Sequence, residues 1–162
     1  MTILETSRLL LRPWRVSEAA IQRELWTERD PRVPPHRRID AAGHPTIAEL
    51  EDAIRTSSTD LLAIERKATA DVIGYCGLIG SGSTEDPELA FELLRRTWNQ
   101  GYATEAARAV LDWARSSGHQ GLRATVWPWN TPSRRVLAKL GFTETAPTPS
   151  DPTRTLLTTL RL

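Results

Sequence analysis

"ELAFELLRRTWNQGYATEAARAVLDWAR", residues 88–115, changes its hydrophobic period half-way along. ELAFELL (88–94) is an apolar run of strand length, whereas from Ala106 onward apolar residues return at helical spacing through Val110 and Trp113. Between them lies RRTWNQGYATE, in which Gly101 permits a turn with no side chain in the way and the small Ala103 and Thr104 let a ligand approach the first helical turn. A helix starts with about four unpaired N–H groups and roughly half a positive charge. This junction is therefore shaped for an anion, a diphosphate above all. The next apolar run, LRATVW (122–127), completes a strand, helix, strand order, which makes a parallel crossover.

Working outward, RLLLRPW (8–14) reads as a first strand, and Ser17 as the cap of an amphipathic helix through EAAIQRELW. Residues 29–46 hold four prolines and no periodicity, so they form a loop. Thr46 and Glu49 make a capping box before IAELEDAIRTS, a second helix. LLAIERK (61–67), VIGYCGLI (72–79) and ELAFELL are separated by tight turns and hence antiparallel; GSGS at 80–83 is a turn. PWNTPSRRVLAKLGF (128–142) supplies a last helix with Thr131 as cap, Pro132 at the first helical position and Gly141 past the end. The threonine- and leucine-rich tail closes the sheet. The pattern predicts an α+β fold, one domain over residues 1–162, with a mixed sheet covered by helices on both faces.

Composition removes several classes of function. Net charge is +1, and no block of five or six like charges occurs, so nothing calls for nucleic acid or an anionic membrane. Nineteen of the 21 basic residues are arginine, Lys67 and Lys139 being the exceptions, and this bias carries no function by itself. Cys76 is the only cysteine, which excludes a disulfide framework and a cysteine metal cluster and fits a reducing compartment. His36, His44 and His119 are scattered without ligand spacing, so no metal is expected. The first residues lack the apolar length of a signal peptide or a membrane span. A cytoplasmic protein is expected.

LETSRLLLRPW, ELAFELLRRTWNQGYATEAARAVLDWA and NTPSRRVLAKLGF, in that order between residues 4 and 142, resemble the GNAT superfamily of acyl-CoA-dependent N-acetyltransferases, and within it the branch of ribosomal-protein N-terminal (alanine) acetyltransferases. The resemblance implies a mostly antiparallel twisted sheet with a V-shaped splay that grips acetyl-CoA. It places the diphosphate on Trp98, Asn99, Gln100, Gly101, Tyr102, Ala103 and Thr104, and the pantetheine arm along the backbone of Leu93 and Leu94, with the Leu93 N–H at the thioester oxygen. Asn130 and Ser133 match the family's N-x-x-S, near the pantetheine and the departing sulfur. Asn99 stands where this branch usually has glycine, and asparagine tolerates left-handed backbone angles. Leu137 occupies the position at which many members carry a tyrosine acid, which leaves Ser133 or a water as proton donor.

The implied reaction is attack of a primary amine, on a protein N-terminus or a small molecule, at the acetyl-CoA thioester. An amine attacks only when neutral, yet α-amines (pKa about 7.7–8.0) and lysines (about 10.4) are mostly protonated at pH 7. Glu88 is the resemblance's candidate base, and Glu92 shares its strand face; alternation leaves open which face looks into the cleft. The acceptor is implied to lie against Trp26, Arg29, Arg32, His36, Arg37 and Arg38, a patch readable either as a site for an acidic or phosphate-bearing acceptor or as a solvated loop. Trp127 and Trp129 wall the acyl tunnel or pack beneath it. The expected partners are acetyl-CoA and an amine, the chain acting as monomer or homodimer. A non-catalytic acyl-CoA-binding regulatory module is the alternative, supported by Leu137 and Asn99.

Overall fold

The computed structural model describes residues 1–145, 151 and 153–162. Its strands are β1 (Leu4–Glu5), β2 (Leu9–Arg12), β3 (Asp60–Arg66), β4 (Asp71–Ile79), β5 (Glu88–Leu93), β6 (Gly121–Val126), β7 (Thr143–Glu144) and β8 (Leu156–Arg161). The helices are α1 (Ala19–Thr27), α2 (Ile47–Thr56), α3 (Tyr102–Ser116) and α4 (Thr131–Lys139). One sheet holds all eight strands in the order β1-β2-β3-β4-β5-β6-β8-β7. The β5–β6 pair is parallel and every other pair antiparallel, as the α+β reading expected.

Strand burial explains the two helical layers. Leu62, Ala63 and Ile64 are consecutive and all buried, as are Val72 and Ile73, so the middle of the sheet is covered on both faces. On one face α3 presents the buried stripe Ala106, Ala107, Val110, Leu111 and Ala114 to a cluster that includes Leu9, Leu11, Ile64, Cys76, Leu78, Leu89 and Leu122. Trp113 packs at its margin. Three of the five stripe residues are alanines, so α3 can lie close to the sheet, and each buried Val or Leu contributes about 1.5–3 kcal/mol. α1, paired with α2, covers the opposite face over β4.

Two capping expectations are corrected. Ser17 lies inside a 3-10 turn, Val16–Glu18, that precedes α1; the group holding this start is Glu18, which accepts from the Arg15 backbone N–H (2.7 Å) and from Arg12 (2.7 and 3.0 Å). A three-residue turn leaves a serine hydroxyl at its second position no orphan donor to reach, whereas the longer Glu18 side chain folds back to one. At α4 the cap is Asn130, whose side chain accepts from Ser133 N–H (3.4 Å), and Thr131 begins the helix. Thr46 caps α2 as expected, accepting from Glu49 N–H (3.2 Å). The loop at 29–46 contains one 3-10 turn, Pro35–Arg37.

Candidate functional site

The turn that feeds α3 uses two left-handed residues, Asn99 (φ 60°) and Gly101 (φ 80°). Gly101 is the helix N-cap and offers no side chain, so none of the backbone N–H groups of residues 99–104 has a partner among the described residues. Arg8, from the residue before β2, fixes the turn. Its guanidinium donates to the Gln100 C=O (3.0 Å) and to Glu105 (2.7 Å) and lies 4.4 Å from the centre of the Tyr102 ring. Burial alone would raise the Glu105 carboxyl, but hydrogen bonds from Thr6 and from the Arg8 side chain and backbone outweigh it and hold the group below the ordinary glutamate range. Glu105 is thus a fixed anion that occupies Arg8, while the N–H groups of the turn stay open.

Beside the turn the sheet splits. β4 and β5 share six paired residues, and β6 and β8 share six, but β5 and β6 pair only at Glu88–Arg123. Beyond that point the two strands diverge, which is the V expected from the resemblance. Leu94 N–H donates to Ile73 C=O (2.8 Å), which sets the alternation: residues 88, 90 and 92 turn their backbone groups toward β4, and Leu89, Phe91 and Leu93 turn theirs toward β6. Phe91 and Leu93 therefore face the opening. Of the two expected pantetheine contacts, Leu93 keeps an open N–H, whereas Leu94 has none to offer, because its C=O also accepts from Thr97 N–H (2.9 Å) and the Thr97 hydroxyl (2.8 Å). Trp98 Nε1–H donates to the Leu93 C=O (2.8 Å), clamping the mouth of the V to the turn.

The two carboxylates differ in occupancy. Leu89, Phe91 and Leu93 pack into the core beneath α3, so Glu88 and Glu92 point to the α1 face. Both Glu92 oxygens accept from Arg29 (3.1 and 3.1 Å). Glu88 accepts one hydrogen bond, from Thr125 Oγ1 on β6 (2.8 Å), at the closed end of the V. Across the gap, Ser133 lies in the first turn of α4, and its hydroxyl makes no hydrogen bond among the described residues. Leu137 is buried in the core.

On the α1 face the connection between α1 and α2 reaches both arms of the V. Arg29 binds Glu92 on β5 and also donates to the Arg37 C=O (2.7 Å). Arg32 lies 4.2 Å from the Trp129 ring centre, and Arg37 lies 5.5 Å from that of Trp127. Trp127 and Trp129 are stacked, 5.6 Å apart with planes 7° from parallel. Arg29 lies over Trp26 at 4.1 Å. Arg32 is bonded to Asp30, whose carboxyl is held down at about 2 by the Arg32 side chain first and its backbone N–H second. His36 is exposed, and Arg38 turns away to the Val33 C=O (2.6 Å). The patch is therefore a strap across the V.

Among the described residues no group of three or more His, Cys, Asp or Glu side chains is arranged to hold a metal, and His44 is bonded to Glu49. Among the described residues no helix is long and apolar enough to cross a membrane. A groove of about 850 Å³ runs along the outer face of α3 and meets the turn at Gly101 and Thr104. Sequence reasoning did not single out Arg8, Glu105, Thr125, Tyr75 or the Phe91 backbone. Glu105 follows the turn by four residues, a local signal; the others act across partners distant in the chain.

The sequence matches the family described as "Acetyltransferase (GNAT) domain" over residues 8–143. It is 29% identical over 149 residues to a protein described as "Uncharacterized N-acetyltransferase p20" from Bacillus licheniformis, covering 88% of this chain and 83% of that protein. The fold matches the crystal structure of a GNAT-family acetyltransferase from Bacillus anthracis with a TM-score of 0.80 at 19% identity, covering 99% of this chain and 98% of that one. It also matches the microcin C7 self-immunity acetyltransferase MccE, solved in complex with acetyl-CoA and AMP, with a TM-score of 0.75 at 14% identity over 97% of this chain and 94% of that one.

Proposed function

We propose that this chain, which belongs to the acetyltransferase (GNAT) family, moves the acetyl group of acetyl-CoA to a primary amine inside the V, the whole of residues 1–162 working as one unit. The observation that carries the reading is the open β5 edge running straight into an uncapped helix start. An extended, amide-bearing arm that ends in a diphosphate is the ligand with complementary chemistry at both places. The N–H groups of residues 99–104 take the diphosphate, and the Phe91 and Leu93 edge takes the pantetheine arm.

The chemistry then draws on residues along the V, from Glu88 at its closed end to Leu93 at its mouth. Glu88 stands five residues from Leu93 along β5, roughly 16 Å between Cα atoms, and accepts the proton of the incoming ammonium through water; the neutral amine then attacks the thioester carbon. The carbonyl oxygen gains a negative charge, which the Leu93 N–H stabilises; one such donor is typically worth about 2.7–4 kcal/mol. Collapse of the tetrahedral intermediate breaks the C–S bond; the free hydroxyl of Ser133 supplies a proton to the departing thiolate and regains one, through water, from the nitrogen that becomes the amide, while Glu88 returns its proton to solvent. Asn130 serves by capping α4 and so setting where Ser133 stands.

Three measurements test this. CoA at a hundredfold excess over its dissociation constant stabilises the fold by about 2.7 kcal/mol and raises the melting temperature; no shift at millimolar CoA removes the cofactor assignment. A panel of amines with acetyl-CoA, read by free-thiol release, reports transfer itself. Ser133→Ala lowers turnover while CoA affinity holds. The effect is modest, because a CoA thiol resembles a cysteine thiol of pKa about 8.5 and leaves without much help. Equal turnover in both proteins returns Ser133 to a packing role.

A further inference from the structure

Three hydrogen-bond donors on the α1 face of the V, on Arg37, Trp129 and Tyr75, have no side-chain partner among the described residues. Of the arginines laid on Trp26, Trp127 and Trp129, two are matched by carboxylates, Arg29 by Glu92 and Arg32 by Asp30. Arg37 has neither a carboxylate nor a carbonyl at its guanidinium among the described residues, although it is held over Trp127. The strap does not need that charge, since Arg29 already ties it through the Arg37 backbone C=O. Trp129 Nε1–H is buried and has no partner among the described residues. The Tyr75 hydroxyl, on the strand pair opposite Glu92, makes no side-chain hydrogen bond among the described residues, and Arg29, Arg37 and Glu92 all act on it electrostatically. Burial pushes the Tyr75 phenol above its ordinary value, so it remains a donor at neutral pH. After the two ion pairs cancel, Arg37 and Arg38 remain without a carboxylate among the described residues, and of the two only Arg37 has a guanidinium free of any protein acceptor, since Arg38 is held by the Val33 C=O.

We propose that the amine acceptor carries an anionic group, a carboxylate or a phosphate, and that Arg37 binds it with the Tyr75 hydroxyl and the Trp129 indole N–H as flanking donors. The proposal rests on the transfer reading above and deepens it by naming the acceptor class. The acceptor then lies across the V, its amine toward the thioester and its anion at the strap, with the stacked Trp127 and Trp129 as a wall. A guanidinium on an aromatic face keeps its N–H edge free for an oxyanion, so Trp127 orients Arg37 without occupying it. A polyamine would meet an unmatched like charge at the same place.

The test compares acceptor pairs that differ only in the anion: α-, β- and γ-amino acids against their amides, and phosphoethanolamine against ethanolamine. The first set reports a carboxylate and the second a phosphate. A hydrogen bond to a charged group predicts that the wild-type protein prefers the anionic member of at least one pair by about 10–100-fold in kcat/KM, carried mainly by KM. Arg37→Gln brings that ratio to within about threefold of unity, and Arg37→Lys keeps part of it. Calorimetric binding of the same pairs to the CoA-loaded protein reads the same preference without turnover. A wild-type protein that binds both members of every pair alike overturns the proposal, as does an Arg37→Gln protein with its preference intact. A protein that binds the anionic member through Arg37 yet acetylates no amine supports this inference and sinks the transfer reading instead.

Discussion

Glu88→Gln lowers turnover near pH 7 by about 10²–10⁴-fold, the range typical when a general base is lost. Glutamine keeps the size of the side chain and an oxygen that can still accept from Thr125 Oγ1, so the closed end of the V retains its geometry and only basicity is removed. The defect shrinks as pH rises toward the amine's own pKa, about 7.7–8.0 for an α-amine and about 10.4 for a lysine, because the substrate then arrives neutral. Glu92→Gln is the informative control. It loosens the Arg29 fork and the strap, so it raises the KM for the acceptor and leaves the shape of the pH profile alone. The measurement is a pH–rate profile of both variants with one acceptor, CoA binding being checked first. A Glu88→Gln enzyme with wild-type rates across roughly pH 6–9 takes Glu88 out of the proton path, and an acid-side defect confined to Glu92→Gln moves the path there.

Gly101→Val abolishes measurable CoA binding and leaves the fold standing. Gly101 sits at φ 80°, where an L-residue costs about 1–2 kcal/mol and a β-branched one more. A Cβ at this position would come within 3.4 Å of Arg8 Nη2, and valine's methyls extend further, against the guanidinium that holds the Gln100 C=O. The turn must shift, and its N–H groups no longer converge. Loss of several hydrogen bonds to a charged ligand, each about 1.5–3 kcal/mol, exceeds a 100-fold change in affinity. The strain itself lowers the melting temperature by only roughly 2–8 °C in a chain of this size. Calorimetry decides: unchanged CoA affinity puts the diphosphate elsewhere.

The parts of this arrangement that were legible in the sequence are those with local causes. The change of period inside residues 88–115 located β5 and α3, and the tolerance of asparagine for left-handed angles anticipated Asn99 at φ 60°. Alternation put Glu88 and Glu92 on one face, but the choice of face depends on Leu89, Phe91 and Leu93 meeting a helix, which no local pattern states. The V was readable only through a resemblance, since it arises where two strands stop pairing. Arg8 and Glu105 are 97 residues apart and Arg29 and Glu92 are 63 apart, so neither partnership leaves a mark in any window of sequence. The misplaced cap at α4 has the opposite origin: Asn130 and Thr131 are adjacent residues of equal capping chemistry, and backbone geometry chose the first.

The bond from Trp98 to the Leu93 C=O has a consequence for self-association. A splayed strand is an edge in the middle of a sheet, and bare edges recruit strands from other copies of the same chain. Here the outermost acceptor of that edge is capped by an indole, a donor too bulky to be followed by a second chain in register, while the inner N–H groups of Phe91 and Leu93 lie deeper, toward the apex. The edge is thus narrowed at its mouth, so that a second polypeptide cannot pair along it in register and the gap does not seed aggregation.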